Sequence, residues 1–411
     1  MTSTPHVVPL AAAAIALVLL AGCTSAAPTD DTSVSGPVSG LVPTGDPTAL
    51  ATGLTTPWSV VFVGETALVS SRDTGEILEV VGDETRVVGT VPGVVHVGES
   101  GLLGLAVADD ELNLFAYSTG TDENRIHRIP LTGEPGSFGL GTAEVILDGI
   151  PAASYHDGGR IAFGPDGMLY ATTGDAGQRS AAQDPDDLGG KILRMTPDGD
   201  VPEDNPFPGS LVFSLGHRNP QGIAWDADGR LFAAEFGQDT WDELNIITPG
   251  GNYGWPEVEG IGGDADFIDP VQQWGTDEAS PSGITIIEDT LFVANLRGQT
   301  LRAVPVSDPG VSTEYLSGDF GRFRDVAEGP DGSLWVLTSN TDTYGTPGEG
   351  DDRILRVELT ATRRAWSEFS ARRCVPRVVL LIAPDALEVA HGADSSVARC
   401  PTPGRLLRRP P

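Results

Sequence analysis

The stretch GPDGMLYATTGD, residues 164–175, joins a short turn to a run of mostly apolar residues. An Asp-Gly turn closes a hairpin, and alternating apolar side chains beyond it face a core. The turn-and-strand pattern occurs six times, at residues 63–75, 108–120, 164–175, 226–237, 287–298 and 329–340. Because a second short strand follows each copy, the repeated unit is an antiparallel β-sheet.

Six copies of one antiparallel unit predict an all-β fold, a six-bladed β-propeller over residues 48–360. Sheets arranged around a central axis leave few strand edges exposed to solvent. Loops from several blades then meet at the axis, so residues that are distant in sequence can form one site.

The composition limits the possible functions. The 411 residues include 25 Lys and Arg against 58 Asp and Glu, which gives a net charge of −33. Such an anionic surface repels phosphate backbones, so nucleic acid is excluded as a partner. The charge mainly favours solubility, and some of the acids are available for a divalent cation. Lys191 is the only lysine, which argues against Schiff-base chemistry and a lysine-dependent phosphate loop.

The beginning of the chain has the features of an export signal. An apolar run ends at Leu20-Ala21-Gly22-Cys23, so residues 1–22 are predicted to be a signal peptide. This ending resembles a lipobox with Cys23 as the lipidated residue, although the first residues carry no Lys or Arg. The protein is therefore expected outside the cytoplasm, held at the cell membrane only by a lipid anchor. A plain secretory peptide, which would release it, is the alternative.

Two further segments differ in composition from the repeats. Residues 23–47 are rich in Ser, Thr, Pro and Gly and are predicted to be a flexible linker. Residues 361–411 are rich in arginine and lack the turn-and-strand pattern, so they are predicted to be a disordered tail. No function is assigned to that tail.

Polar loops precede several of the repeated units at similar distances. The motifs YHDGGR, LGHRNPQG and GRFRDV come before the third, fourth and sixth units, which places their side chains at one mouth of the propeller. The residues expected there are His156, Arg218, Asn219, Arg322 and Arg324, joined by Arg297 from the fifth unit. Several guanidinium groups beside an imidazole suit an anion with several carboxylates or phosphates. Salt bridges to neighbouring acids are the alternative for any single arginine.

Asp175 ends the strand that follows His156. A carboxylate in this position can orient the imidazole and raise its basicity, as in a general base. A structural role is the alternative for His156 taken alone.

A second cluster lies within residues 235–260. Asp242 and Glu243 are adjacent carboxylates, and the turn carbonyls of Gly237 and Gln238 are close in sequence. Hard oxygen ligands of this kind suit Ca²⁺. A solvated acidic turn is the alternative.

Together these motifs resemble the soluble quinoprotein sugar dehydrogenases, most closely their aldose sugar dehydrogenase branch. The resemblance covers residues 48–359 and is carried by GESGLLGLAV, YHDGGRIAFGPDGMLYATTGDAG, LGHRNPQGIAWD, GGNYGWP and GRFRDVAEGPDGSLWVLT. It implies a six-bladed propeller that binds pyrroloquinoline quinone (PQQ) and Ca²⁺ and oxidises aldose sugars at C1 to lactones. The implied partners are the sugar and an external electron acceptor, either a quinone or a small redox protein.

The resemblance also implies individual roles. His156 corresponds to the catalytic base, Asp175 to its supporting carboxylate, and Arg218 to the arginine beside the quinone carbonyls. The residues implied in binding PQQ are Glu99, Arg218, Asn219, Arg297, Arg322 and Arg324, where Arg297 stands at a position that is often lysine in the family. The backbone oxygens of Gly237 and Gln238 are implied in holding a calcium ion that bridges to PQQ. The residues implied in an adjacent structural calcium site are Asp242, Glu243 and Tyr253.

Two other functions are compatible with a propeller. A calcium-dependent lactone hydrolase needs several Asp, Glu and Asn side chains around the axis, whereas arginines dominate these loops. A non-catalytic binding propeller would keep the scaffold without the cofactor. The presence of His156 together with Arg322 and Arg324 argues against that alternative.

Overall fold

The computed structural model describes residues 39–108 and 113–363, in which the only regular structure besides β-strands is a 3₁₀ turn, Arg179–Gln183. The strands form six antiparallel sheets, each with four strands in its main path. The first strands of neighbouring sheets contact one another in a closed ring, so the sheets are blades around one axis. The predicted all-β, six-bladed propeller is confirmed.

The strands are numbered in chain order, and the first one, β1 (Ser39–Thr52), belongs to the last blade. Blade 1 consists of β2 (Pro57–Val63), β3 (Thr66–Ser71), β4 (Glu76–Val81) and β5 (Glu84–Thr90). Blade 2 consists of β6 (Leu102–Val107), β7 (Asn113–Thr119), β8 (Glu123–Thr132) and β10 (Glu144–Pro151), with the short β9 (Gly139–Leu140) paired to β8. Blade 3 consists of β11 (Ile161–Phe163), β12 (Leu169–Thr173), β13 (Lys191–Met195) and β14 (Val212–Leu215).

The remaining blades follow the same order. Blade 4 consists of β15 (Pro220–Trp225), β16 (Leu231–Glu235), β17 (Trp241–Ile247) and β18 (Gln272–Gly275). Blade 5 consists of β19 (Pro281–Ile287), β20 (Thr290–Asn295), β21 (Thr300–Pro305) and β22 (Thr313–Tyr315). Blade 6 consists of β23 (Phe323–Glu328), β24 (Leu334–Thr338) and β25 (Arg353–Arg363), and β1 completes it as the outer strand.

The core is divided among the interfaces between blades. Each pair of neighbouring blades encloses its own apolar cluster, as where Phe232 of blade 4 meets Leu291 and Val293 of blade 5. Strands in the middle of a blade are covered on both faces, which is why β20 is buried at all of its positions. Each fully buried Leu or Phe contributes about 1.5–3 kcal/mol. The blades therefore form a stiff frame for the loops at the axis.

The ends of the propeller differ from the sequence prediction. Strand β1 pairs with β25 from Ser39 opposite Arg363 to Thr52 opposite Arg353. Residues 39–47, predicted to be linker, and residues 361–363, predicted to be tail, are therefore corrected to strand. The error has a physical reason. Strand β1 lies at a sheet edge, where Pro43, Pro47 and an irregular register are tolerated, so it lacks the usual strand pattern.

The rest of the terminal predictions concerns residues 1–38 and 364–411, which lie outside the described residues. These include the signal peptide, the lipobox ending at Cys23 and most of the predicted linker and tail. Among the described residues, no helix is both long enough and apolar enough to cross a bilayer.

Candidate active site

Two loops of each blade reach the same end of the propeller. One precedes the first strand of the blade and the other joins its second and third strands, because the chain reverses direction between successive antiparallel strands. Such loops enclose an axial cavity of about 450 Å³. Its aromatic lining comprises Trp58, Phe236 and Tyr344, and its charged and amide lining comprises Arg72, Glu99, Asn219, Gln221, Arg297, Arg322 and Arg324.

The charge inside this cavity is opposite in sign to that of the protein as a whole. Four guanidinium groups line the cavity together with a single carboxylate, that of Glu99. Arg322 and Arg324 share the carboxylate of Asp342, with N–O distances of 3.2 and 3.5 Å. Nη2 of Arg72 and Nε of Arg324 are buried and have no hydrogen-bond partner among the described residues. Unused donors and excess positive charge suit an anionic ligand.

One of these guanidinium groups, that of Arg324, is buried deeply enough for its pKa to be lowered. Burial lowers the pKa of Arg324 to about 9; Asp342 opposes this shift, whereas the nearby charges of Arg72 and Arg322 add to it. An anion placed among the three arginines would relieve this repulsion. The cavity is thus organised for a ligand with more than one negative group.

His156 and Asp175 form a hydrogen-bonded pair beside the cavity, in which Asp175 is buried and His156 is partly exposed. Nδ1 of His156 lies 2.7 Å from Oδ1 of Asp175. The same carboxylate accepts hydrogen bonds from the backbone N–H of Gly177 at 2.8 Å and from Nε1 of Trp255 at 2.9 Å. Burial opposes ionisation, but these hydrogen bonds, led by the one from His156, keep the pKa of Asp175 below its usual value. The ionised carboxylate fixes the proton on Nδ1, which leaves the lone pair of the imidazole on Nε2.

The local backbone explains the glycines around His156. His156 has a φ of 61°, in the left-handed region, and its N–H donates to Oε2 of the cavity residue Glu99 at 3.0 Å. A Cβ atom on Gly174 would lie 1.8 Å from the carbonyl oxygen of His156. Only glycine therefore fits next to Asp175, and this close approach brings the imidazole to its carboxylate.

Arg218 lies between this pair and the cavity wall. Its guanidinium group donates to Oε1 of Gln238, from Nε at 3.0 Å and Nη2 at 2.9 Å, and to the carbonyl oxygen of the cavity residue Phe236 at 3.1 Å. Its own carbonyl oxygen accepts the N–H of Asp175 at 2.8 Å. Burial lowers the pKa of Arg218, while the carboxylates of Asp175 and Glu235 oppose that shift.

The structure brings most of the predicted site residues together. Glu99, Asn219, Arg297, Arg322 and Arg324 all line the cavity. His156, Asp175 and Arg218 are not part of that lining, but hydrogen bonds connect them to Glu99, Phe236 and one another.

Sequence reasoning missed Arg72 and the residues Trp58, Gln221, Phe236 and Tyr344. A signal for Arg72 was present, because both Arg72 and Arg297 lie within two residues of the end of the second strand of a blade, β3 and β20. The prediction relied mainly on the loops before each blade and gave less weight to those inside it.

Three of the five predicted metal ligands line a separate, smaller cavity of about 10 Å³, roughly the space of one water or ion. Gly237, Glu243 and Tyr253 line it, whereas Asp242 and Gln238 do not. Instead, Asp242 accepts hydrogen bonds from the N–H groups of Gly237 and Ser280 at 2.8 and 2.6 Å. The phenol of Tyr253 is used within its own blade, donating to Ile246 O at 2.7 Å.

Two glutamates that were not predicted also line the small cavity, Glu235 and Glu259. Burial and the neighbouring carboxylate of Glu235 raise the pKa of Glu243. Glu259 differs, because despite its burial four backbone N–H groups keep its pKa below the usual value. In the part of the chain described by the structure, no group of three His, Cys, Asp or Glu side chains is arranged at metal-binding distances.

Comparisons with known proteins agree with this architecture. Residues 54–345 match the family model described as glucose/sorbosone dehydrogenase. An uncharacterised protein from Synechocystis is 30% identical over 363 residues, which cover 74% of this chain and 84% of that protein. The quinoprotein glucose dehydrogenase B of Acinetobacter calcoaceticus is 34% identical over 236 residues, covering 48% of this chain and 49% of that enzyme.

A solved structure extends the likeness over nearly the whole propeller. The PQQ-bound aldose sugar dehydrogenase of Streptomyces coelicolor is 48% identical with a TM-score of 0.74, covering 78% of this chain and 98% of that chain. Fold and site together define a propeller dehydrogenase. The chain belongs to the glucose/sorbosone dehydrogenase family, which confirms the predicted family and enzyme class.

Proposed function

We propose that the protein is an exported, PQQ- and calcium-dependent dehydrogenase that oxidises aldose sugars at C1 to lactones. The observation that carries the proposal is the arginine-lined cavity next to the His156–Asp175 pair. Family membership supports the reaction class, and the PQQ-bound neighbour from Streptomyces coelicolor supports the cofactor.

The cavity residues fit PQQ, which carries three carboxylates on a flat ring system. Arg72, Arg322 and Arg324 supply cationic donors, two of which have unpartnered buried N–H groups. The aromatic side chains of Trp58, Phe236 and Tyr344 offer apolar surface for the rings. When bound, PQQ would supply the two-electron acceptor for hydride from the sugar.

The protein's own residues account for the proton. Because Asp175 holds the proton on Nδ1 of His156, Nε2 is available to take the proton from the C1 hydroxyl of the sugar. Asp175 then stabilises the imidazolium that forms, without taking the proton itself. Arg218, positioned by Gln238 and Phe236, is available to stabilise negative charge that develops at the cavity wall.

Calcium fits the donor chemistry of the loop after β16. Carboxylates and backbone carbonyls are the ligands that Ca²⁺ prefers, and Glu235, Glu243 and Glu259 surround the small cavity. The pKa of Glu243 is raised by burial and by the neighbouring charge of Glu235, and a divalent cation would offset the second effect. Arg218 also lines this cavity and supplies part of the positive charge. We include calcium in the proposal, with the backbone carbonyl oxygens of Gly237 and Gln238 as further ligands of the ion.

Location and partners complete the proposal. Export and a lipid anchor at Cys23 rest on the sequence, and that segment lies outside the described residues. The electron acceptor is proposed to be a quinone or a small redox protein outside the cytoplasm. The lactone hydrolase alternative is disfavoured, because the axial cavity carries one carboxylate and four guanidinium groups.

The decisive experiment mixes the purified apoprotein with PQQ, Ca²⁺ and an aldose and follows reduction of a redox dye. The expected result is sugar-dependent reduction that requires PQQ and is lost in His156→Ala. A wild-type rate no higher than that of His156→Ala would refute the dehydrogenase assignment. A parallel absorbance titration with PQQ separates failure of binding from failure of turnover.

A further inference from the structure

The only lysine of the protein lies in an unusual place. Lys191 is the first residue of β13, and its side chain is fully buried in blade 3. Its Nζ donates to three backbone carbonyl oxygens, at 2.6 Å to Ala181, 3.3 Å to Ala182 and 2.7 Å to Gly189. No carboxylate of the described residues forms an ion pair with it. Burying a charge among carbonyl oxygens alone costs free energy of folding, which indicates that Lys191 has a specific role.

The three carbonyls belong to a single segment, residues 174–190, which we call the β12–β13 loop. The loop begins beside Asp175 and ends at Lys191, and the N–H of Gly190 donates to the carbonyl oxygen of Gly174 at 2.9 Å. Lys191 therefore closes the far end of the loop against its middle, the 3₁₀ turn Arg179–Gln183. The carbonyl oxygens of Ala181 and Ala182 also accept the backbone N–H groups of Asp184 and Gly216, at 3.0 and 2.8 Å. The ammonium group is the donor that these carbonyls share with the carbonyl of Gly189, and it thereby joins the 3₁₀ turn to the end of the loop.

The same loop holds Asp175 in place on two sides. The N–H of Gly177 donates to Oδ1 of Asp175 at 2.8 Å. Gln183 donates to the carbonyl oxygen of Trp255 at 2.7 Å, and the indole of that tryptophan donates to Oδ2 of Asp175 at 2.9 Å. The loop that Lys191 closes thus sets both oxygens of the carboxylate that orients His156.

The number of N–H donors on the side chain determines how well it satisfies the three carbonyl oxygens. An ammonium group has three N–H donors and no acceptor, which matches three carbonyl oxygens. A neutral amine has two donors and a lone pair, so one carbonyl would face that lone pair. Arginine could not substitute easily, because its planar fork does not reproduce a compact, three-way donor.

We propose that Lys191 is a positioning residue for the His156–Asp175 pair: its charged amine closes the β12–β13 loop and so fixes the carboxylate that orients the imidazole. The inference rests on the proposed function, since it concerns the base of the same reaction. It assigns a catalytic consequence to a side chain that touches neither cavity.

The surroundings of Lys191 determine the pH at which its ammonium group loses its charge. Burial lowers the pKa of Lys191 to about 8, although the charges of Asp187 and Asp184 on the loop oppose the shift. The other titratable or charged groups on the elements around it are Tyr170 in β12, Asp175 after β12, Arg179 in the 3₁₀ turn, Arg194 in β13 and His217 after β14. As the pH rises through about 8, Lys191 loses its charge and the loop loses its third donor.

The test compares Lys191→Met with Arg194→Met. Arg194 is a matched control, because it is a buried cation in the same strand that bonds Asp166 and Asp204 rather than the β12–β13 loop. Lys191→Met is expected to lower kcat about 10- to 100-fold and to change KM for the sugar less than about 3-fold. Affinity for PQQ should stay near the wild-type value, and Arg194→Met should keep kcat.

The pH profile adds a readout that a purely structural role would not move. The kcat of the wild type should fall as pH rises through about 8, and that alkaline limb should be absent from Lys191→Met. If Lys191→Met retains kcat, or loses only thermal stability as Arg194→Met does, the positioning role is wrong.

A measurement on the wild-type apoprotein covers the case in which Lys191→Met does not fold. The Nδ1 proton shared by His156 and Asp175 gives an NMR signal that His156→Gln assigns. This signal should weaken with a midpoint near pH 8 as Lys191 is deprotonated, and a signal unchanged to pH 10 overturns the proposal. This readout needs neither PQQ nor sugar, so absence of turnover in the wild type refutes the proposed function separately.

Discussion

The side chain of His156 is partly exposed beside the cavity, and its backbone is strained. Its φ of 61° is uncommon for a residue other than glycine, and Gly158 and Gly159 follow it with φ values of 61° and 98°. Such strain is retained only where surrounding contacts hold it in place. Here the N–H of His156 is bound by Glu99 and its imidazole by Asp175, so the strained loop presents the ring in one orientation.

Replacing Asp175 by asparagine tests this orientation. Oδ1 of Asp175 accepts hydrogen bonds from His156 and Gly177, and Oδ2 accepts one from Trp255. In either orientation, the NH₂ group of an asparagine would therefore face a hydrogen-bond donor. Asp175→Asn is expected to lower kcat about 10²- to 10⁴-fold with a much smaller change in KM. Dye reduction over a range of sugar concentrations measures both constants. Asp198→Asn, a surface change, serves as the control, and a kcat for Asp175→Asn within 2-fold of wild type would contradict the role.

Arg72 is expected to bind the cofactor although it lies far from the other arginines in sequence. Its side chain is 3% exposed, lines the axial cavity and has an unpartnered Nη2. Arg72→Met should weaken PQQ binding about 10- to 100-fold, the effect of one or two charge-assisted hydrogen bonds. An absorbance titration of the apoprotein measures this, with Arg128→Met on the outer surface as the control. Equal affinity in Arg72→Met and wild type would exclude this contact.

Much of the candidate site could be predicted from the sequence. Asn219 and Arg322 stand at the same distance before the repeated turns that begin at residues 226 and 329, so the periodicity alone places them at one mouth. Arg72 and Tyr344 come from loops inside blades, and their convergence depends on how far each loop leans towards the axis. The alternation of side chains along a strand already implies that Asp242 and Glu243 of β17 face opposite sides, but the sequence does not show which of the two faces the small cavity.

At the scale of single elements, β8 carries a titration that should affect stability. His127 in this strand is buried, with Nε2 at 2.9 Å from the hydroxyl of Ser118 and Nδ1 unpartnered among the described residues. Burial, with the charge of Arg125 adding to it, lowers the pKa of His127 to about 4. The histidine is therefore neutral in the fold at pH 5, whereas it is protonated in the unfolded chain.

The sign of the resulting pH dependence follows from this difference. Between pH 6.5 and 4 the unfolded state binds the extra proton, so folding stability falls as the pH falls. The contribution is on the order of 3 kcal/mol at pH 4. His127→Gln should lose this slope, as measured by urea unfolding at several pH values, while His96→Gln should retain it. Parallel curves for wild type and His127→Gln would show that burial does not hold His127 neutral.

The elements themselves were predictable to different degrees. Central strands such as β12 and β20 combine a turn with apolar runs, and these were located from the repeat. Strand β1 was not, because its pairing with β25 spans the length of the propeller and its own sequence contains two prolines. An edge strand held by a distant partner leaves little local pattern.

At the scale of the whole molecule, a buried ion pair connects blades around the axis. Nη1 of Arg160 lies 3.0 Å from Oδ2 of Asp325 in β23, and the same oxygen accepts the N–H of Val60 in β2 at 3.0 Å. The guanidinium group also stacks on Trp58, 4.3 Å from the ring centroid, and donates to the carbonyl oxygen of Gln221. Blades 1, 3, 4 and 6 thus share one polar centre.

Removal of one partner should destabilise the entire ring. Asp325→Ala leaves the charge of Arg160 buried and unpaired, so the free energy of unfolding should fall by about 3–5 kcal/mol. Asp198→Ala, which breaks an ion pair with the partly exposed Arg128, should change it by less than about 1 kcal/mol. Urea unfolding of the three proteins provides the comparison. Similar values for the two variants would mean that the axial pair adds no more than a surface contact.

Blade 6 unites β1 with β23, β24 and β25, so the earliest segment of the propeller to be synthesised is joined to the latest. Until β25 has been synthesised, β1 has no strand with which to pair, so blade 6 cannot be completed. Pairing across such a sequence separation makes closure slow. For the export proposed above, late completion of the ring would leave the chain open for passage through a narrow translocation pore.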